Sequence, residues 1–164
     1  MLYMFSAMTS TARQPAETTP DCTREQIDPR GPRFGGAVTT VVLAAALILI
    51  GTTAGSVLIA WQTLVFALGA IVGLHAQPYG IFFRMVIRPR LAPPAEMEDV
   101  APPRFAQAVG LAFLLVALAA LLLDSTVVAT VFVAFALAAA FLNAAFNFCL
   151  GCQMYLIGRR LAHR

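Results

Sequence analysis

The sequence predicts an all-α integral membrane protein: four transmembrane helices forming two parallel-repeat helical hairpins, with short interfacial helices. Three observations predict it. The 164-residue chain is 60% hydrophobic and 12% charged, with a mean hydropathy of +0.81, far from the composition of a soluble domain. Four apolar runs, Phe34–Thr53, Val57–Ala76, Phe105–Asp124 and Thr126–Phe148, are each long enough to cross the ~30 Å hydrocarbon core as a helix. Finally, Glu25-Gln-Ile-Asp-Pro-Arg-Gly-Pro-Arg-Phe34 lies over Glu96-Met-Glu-Asp-Val-Ala-Pro-Pro-Arg-Phe105 at an offset of 71 residues, with five of ten pairs identical. The same offset carries Leu43 onto Leu114, Gly80 onto Gly151 and Arg88 onto Arg159. Charged and proline matches in register with apolar ones are the mark of an internal repeat.

Residues 1–33 are rich in Thr, Pro, Gln and Ala with nothing to bury, and read as a disordered cytoplasmic tail. No basic segment precedes an apolar core of signal-peptide length, and Met8 is an alternative start to Met1. Cys22 in this tail reads as incidental. Residues 34–76 then form the first hairpin, turning at Ala54-Gly-Ser56, and residues 105–148 the second, turning at Ser125. Connections that short join only antiparallel neighbours.

Orientation follows from the arginines. All eleven basic residues are Arg, grouped before the first span, between the second and third, and after the fourth. Neither hairpin tip carries one. The positive-inside rule therefore places both termini and the loop 77–104 in the cytoplasm. Arg84 and Arg88, four apart among large apolar residues, and Arg159 and Arg160 in the tail 149–164, read as lipid-interface anchors facing phosphates. Asp28 with Arg33, and Asp99 with Arg104, are candidate ion pairs that would set the depth of the helix ends. Trp61 reads as part of the outer aromatic belt.

One motif carries chemistry: Cys149-Leu-Gly-Cys152 at the cytoplasmic end of the fourth span. Two thiols at this spacing can close a disulfide, perform thiol exchange or supply half of a zinc site. Where the helix breaks near Asn147 and a new one begins around Gly151, the thiols lie at a helix N-terminus, a position that favours thiolate. The first repeat has Pro78 and Ile81 instead, so the pair reads as a site placed on one half of a symmetric scaffold. His75-Ala-Gln-Pro-Tyr79 is the expected opposing wall. Cys152 is taken as the accessible attacker and Cys149 as the resolving thiol. The competing reading is that both cysteines are small packing residues.

Asn143 and Asn147 are one turn apart and serve as secondary candidates with His75, though intramembrane Asn more often bridges helices. Gln62, Gly69, Gly73 and Ala76 mark a packing seam on the second span. No metal site is expected, and no cofactor is legible. The absence of ionisable residues at mid-membrane disfavours an ion-coupled transporter. No phosphate-binding loop or hydrolase triad occurs, and no nucleic-acid partner is expected.

Asp28-Pro-Arg-Gly-Pro-Arg-Phe34, Pro103-Arg-Phe-Ala-Gln107 and Cys149-Leu-Gly-Cys-Gln-Met-Tyr155 together resemble the membrane protein family called domain of unknown function 4395, over roughly Gln26 to Arg160. The resemblance implies the four-span topology and an actinobacterial type of host. Genes of that family often lie beside thioredoxin-like and sulfurtransferase genes, which implies a partner of either kind. The leading expectation is a membrane protein whose Cys149 and Cys152 exchange disulfide or persulfide sulfur with such a partner. The alternatives are a homodimeric permeation pathway for a small sulfur oxyanion and a scaffold with no chemistry of its own.

Overall fold

The computed structural model describes residues 25–94 and 96–162. Cys22, the alternative starts and most of the expected tail lie outside the described residues. Strand β1 (Gln26–Ile27) leads into α1 (Arg30–Ile48), and α2 (Thr53–Ala67) continues through a π-helical turn, Leu68–Val72. A short helix α3 (Pro78–Phe82) runs on through Phe83–Ile87 and Arg88–Arg90. Strand β2 (Glu98–Asp99) precedes α4 (Ala101–Leu122), α5 (Thr126–Phe146) and α6 (Leu150–Ala162).

Four of these stretches, Arg30–Ile48, Thr53–Val72, Ala101–Leu122 and Thr126–Phe146, are long and apolar enough to cross a membrane. The first and third begin about one turn earlier than the apolar runs alone indicated. Proline is accepted in the first helical turn, where its missing N–H is not needed, so Pro32 and Pro102-Pro103 sit inside the helices. The chain from Glu25 to Arg33, expected in the disordered tail, is therefore structured. Asp28 is buried, and its Oδ1 accepts from the Arg30 backbone N–H at 3.0 Å. Asp99 does the same for Ala101 at 3.0 Å. These aspartates satisfy amides that the helix starts leave without intrahelical partners.

Each span is ended by a residue in the left-handed region: Gly51 (φ 81°), Gly73 (φ 128°), Asp124 (φ 55°) and Asn147 (φ 55°). Glycine takes these angles without penalty, and Asn and Asp tolerate them better than other residues. Gly73 thus terminates α2 and does not belong to a packing seam. Thr52 opens α2, its Oγ1 accepting from Gly55 N–H at 3.2 Å and donating to Leu49 O at 2.6 Å.

The four long helices form a ring in the order α1, α2, α4, α5. Each packs on two neighbours, while the diagonal pairs α1–α4 and α2–α5 touch little or not at all. Leu43 and Leu114, 71 residues apart, are both fully buried, as are Ala46 and Ala117. In α2 and α5 the matching buried positions lie three residues further apart: Gly55 with Ala129, Ile59 with Val133, Gln62 with Ala136. The shift arises because α4, at 22 residues, is three longer than α1, at 19. β1 and β2 pair antiparallel with Ile27 opposite Glu98. Those two residues are themselves 71 apart, so an approximate twofold axis passes through that pair.

The half of the bundle around the hairpin tips is closed by Leu43, Ala46, Ile59, Leu114, Ala117 and Ala129. A polar ladder crosses the first hairpin. Gln62, fully buried, donates from Nε2 to Thr39 Oγ1 at 3.2 Å, and its Oε1 accepts from the Tyr79 hydroxyl at 3.0 Å. Trp61 Nε1 donates to the same Tyr79 oxygen at 3.1 Å. Burial pushes the Tyr79 phenol above its ordinary value of 10.0, with the Trp61 bond working the other way. Trp61 therefore sits near mid-span, held to a residue returning from the far end of α2. It is not a belt residue: α2 begins at Thr53, about 12 Å before it.

Candidate functional site

α5 ends where Asn147 turns left-handed, and α6 starts three residues later. The break places Cys149 immediately before the first residue of α6. Cys149 and Cys152 are joined by a disulfide, their Cα atoms 5.2 Å apart. The Cys152 backbone N–H also points at Cys149 Sγ, at 3.3 Å. A sulfur at the first turn of a helix faces amides with no intrahelical acceptor, and the helix dipole adds to their attraction for negative charge. The sequence-level condition for a helix N-terminal thiol is met.

Gly151 fixes α6 in place. A Cβ built on it would lie 2.6 Å from both Cα and Cβ of Ala106 in α4, so the two backbones meet where neither residue can be enlarged. Tyr155, one turn on, sets its ring 5.9 Å from that of Phe105. One flank of α6 exposes Met154, Ile157 and Leu161, with Arg159 and Arg160 in the last turn. Apolar residues on one exposed face with basic residues at its end suit a helix lying in a membrane interface.

The disulfide opens onto a cavity of about 630 Å³. Its mouth carries Cys149, Cys152, Arg33, Gln107, Asn143 and Asn147, and its depth is lined by Phe66, Phe113, Phe132, Phe135 and alanines of α5. Phe132 is fifteen residues before Asn147 on α5, so the cavity extends roughly 22 Å from the rim. Its lining runs from residues buried inside the bundle, Thr39 and Phe66, to Phe135, which is 56% exposed on the outer flank. Glycines let its walls pack closely: a Cβ on Gly36 would be 3.0 Å from Asn143 Nδ2, and one on Gly110 would be 2.7 Å from the Phe66 ring.

Of the secondary candidates, Asn143 donates from Nδ2 to Pro32 O at 3.4 Å, bridging α5 to α1. Asn147 is the helix terminator. His75 does not face the cysteines. It is exposed and lines a separate cavity of about 170 Å³ with Asp28, Gln77, Arg84 and Arg88. The approximate twofold explains this, since the segment equivalent to the cysteines is carried to the other side of the axis. Arg84, expected to face lipid, donates from Nη2 to His75 O at 2.6 Å and ties down the loop after α2.

Two residues at the mouth were missed as site candidates. Gln107 accepts from Gln77 Nε2 at 3.0 Å, and its own amide NH₂ makes no hydrogen bond to a described residue. Gly69 makes room for it, with a Cβ there falling 2.9 Å from Gln107 Cγ. Arg33 is exposed at the mouth, and its guanidinium likewise makes no hydrogen bond to a described residue. Its counterpart Arg104 donates to the last carbonyls of α2, Ala70 O at 2.9 Å and Ile71 O at 2.7 Å. The only sequence signal was that both residues stand in the repeated Pro-Arg-Phe stretch. Among the described residues no group of three His, Cys, Asp or Glu is gathered for a metal.

The same segments that build the rim, from β1 through α6, are matched by one family model over residues 27–160, described as Domain of unknown function (DUF4395). The chain belongs to that family. The DUF4395 match spans all four long helices and the cysteine pair. No curated protein and no solved structure matches the chain.

Proposed function

We propose that this DUF4395 protein is a membrane thiol–disulfide exchange protein whose working pair is Cys149 and Cys152. The observation that carries the reading is the placement of the pair: a closed disulfide at the first turn of α6, opening onto a solvent-sized cavity. A cysteine pair that merely filled space would gain nothing from a helix break beside it. The distribution of arginines supports a cytoplasmic rim, where a soluble thioredoxin-like or sulfurtransferase protein would be the partner. The matched pairs around the twofold support descent of both hairpins from one ancestral unit, with the cysteines confined to the second.

The geometry favours Cys149 as the attacking sulfur, reversing the order expected from sequence. Cys149 receives the Cys152 N–H and sits at the dipole's positive end, so it is the thiol better able to hold a negative charge. Exchange then runs by attack of the Cys149 thiolate on a partner disulfide, forming a mixed disulfide that the Cys152 thiolate resolves. The partner leaves as a dithiol, and the Cys149–Cys152 bond closes. In the reverse direction the same bonds break and form.

The test is trapping of the mixed disulfide in cells after rapid acid quench. Cys152→Ser, which lacks the resolving thiol, is expected to accumulate a discrete adduct on non-reducing gels. Cys149→Ser and the double mutant should show none. Adducts absent from all three, with the remaining thiols still open to maleimide, would overturn exchange and leave the scaffold reading. The permeation reading gains no support from the packing, because the cavity ends against the closed core near the hairpin tips.

A further inference from the structure

The cavity has two unlike ends, and together with the cysteines they define a ligand. Along its depth, four phenylalanine rings and the alanines of α5 offer only apolar contact over about 20 Å, enough for several isoprenoid-length units of tail. Its polar lining includes two uncommitted donors, the Arg33 guanidinium and the Gln107 amide NH₂, each without a hydrogen bond to a described residue, together with the Glu98 carboxylate. The same lining holds a two-electron couple, the Cys149–Cys152 disulfide. The lining also reaches the exposed flank at Phe135, within the stretch of α5 apolar enough to lie in lipid, so an entrant can come from the bilayer itself.

A water-soluble thiol partner needs only the rim and leaves this depth unexplained. The required ligand is an amphiphile with an apolar tail, a flat head bearing hydrogen-bond acceptors, and a two-electron, two-proton redox change. We infer that the cavity binds a lipid-soluble quinone and that Cys149 and Cys152 pass electrons to it. This rests on the thiol-exchange reading and names its membrane-side substrate. The step balances without a further reagent. Two S–H bonds break and one S–S bond forms, so the sulfurs lose two electrons. The quinone gains those electrons and the two thiol protons, and its two C=O groups become C–OH. Arg33 and Gln107 donate to the ring oxygen at the mouth, where negative charge grows as electrons arrive. A soluble dithiol then reduces the disulfide for the next cycle, so the protein carries reducing equivalents from a soluble thiol to the quinone pool.

The experiment uses the full chain in nanodiscs in two separate stages. In the first, the disulfide is reduced with a soluble dithiol and the thiols are counted. In the second, excess dithiol is removed and decylubiquinone, whose fully substituted ring resists direct thiol addition, is added while quinone absorbance and thiol content are followed. The expected result is loss of one quinone per protein with closure of one disulfide, absent from the Cys149→Ser/Cys152→Ser double mutant. The rate should be at least tenfold higher with the decyl tail than with 2,3-dimethoxy-5,6-dimethyl-1,4-benzoquinone, a tailless analogue whose ring is equally substituted, at equal aqueous concentration. Ala139→Phe and, independently, Ala138→Phe place a ring in the cavity and should each slow the second stage at least tenfold, with folding checked by Trp61 fluorescence melting. A pair that completes the first stage but leaves decylubiquinone unreduced overturns the quinone assignment while thiol exchange stands. Equal rates with and without the tail, or in the filled variants that melt as wild type does, overturn the cavity as the binding place. A disulfide that no soluble dithiol reduces overturns both readings.

Discussion

Gly151→Val is expected to release α6 from α4 and uncover the reduced Cys149–Cys152 pair. The Cβ it introduces would fall 2.6 Å from both Cα and Cβ of Ala106, and Ala106 Cα cannot rotate out of the way. Valine improves on glycine's helix propensity by no more than ~0.5 kcal/mol, whereas forcing extra atoms into a filled contact costs about 1–3 kcal/mol, so the steric term wins. If docking of α6 alone bears that cost, the undocked population grows roughly 5- to 150-fold. Maleimide labelling of the reduced thiols, limited by undocking, should accelerate by that factor. Labelling at the wild-type rate would mean that α6 is not held by this contact.

Gly55→Val should be as costly to the fold and silent at the cysteines. A Cβ on Gly55 would collide with the backbone carbonyl of Leu49, its carbon at 2.7 Å, inside the tip of the first hairpin. Gly55 also supplies the N–H that caps α2 through Thr52. No side-chain rotation moves the Leu49 carbonyl aside, and a loss of about 1–3 kcal/mol is expected. For a chain of this size that corresponds to a fall of roughly 3–10 °C in the unfolding midpoint, followed through the single tryptophan, Trp61. Thiol labelling below the midpoint should match wild type, because the tip lies at the opposite end of the bundle from α6. Together the two glycine variants separate a general loss of stability from a specific loss of α6 docking.

The spans and their hairpin connections were legible because apolar runs of this length have few alternatives. Their starts were not, because proline was read as a boundary while the structure uses it as first-turn filler at Pro32, Pro102 and Pro103. The helix break that gives the cysteines their setting could be named only as a condition. It depends on Asn147 turning left-handed, and Asn is also tolerated within helices. His75 was assigned to the wrong side of the axis because adjacency was judged along the repeat, and a twofold sends equivalent segments apart. The cavity could not be read at all. Its lining comes from α1, α2, α4, α5 and α6 together, a property of several helices at once. The difference between Arg33 and Arg104 was hidden for the same reason: within the shared Pro-Arg-Phe stretch, only Arg104 meets the carbonyls of Ala70 and Ile71.

The most direct measurement is a redox titration of the purified protein. Samples are equilibrated in buffers of graded dithiol-to-disulfide ratio and quenched with a mass-tagged maleimide that counts thiols at Cys149 and Cys152. A reversible pair gives one transition between doubly labelled and unlabelled protein, with a two-electron slope of about 30 mV per tenfold change in the buffer ratio. That single transition, lost in either serine variant, is the predicted result. Thiols that stay fully labelled in every oxidising buffer, or a disulfide that no dithiol opens in the native protein, would contradict the account.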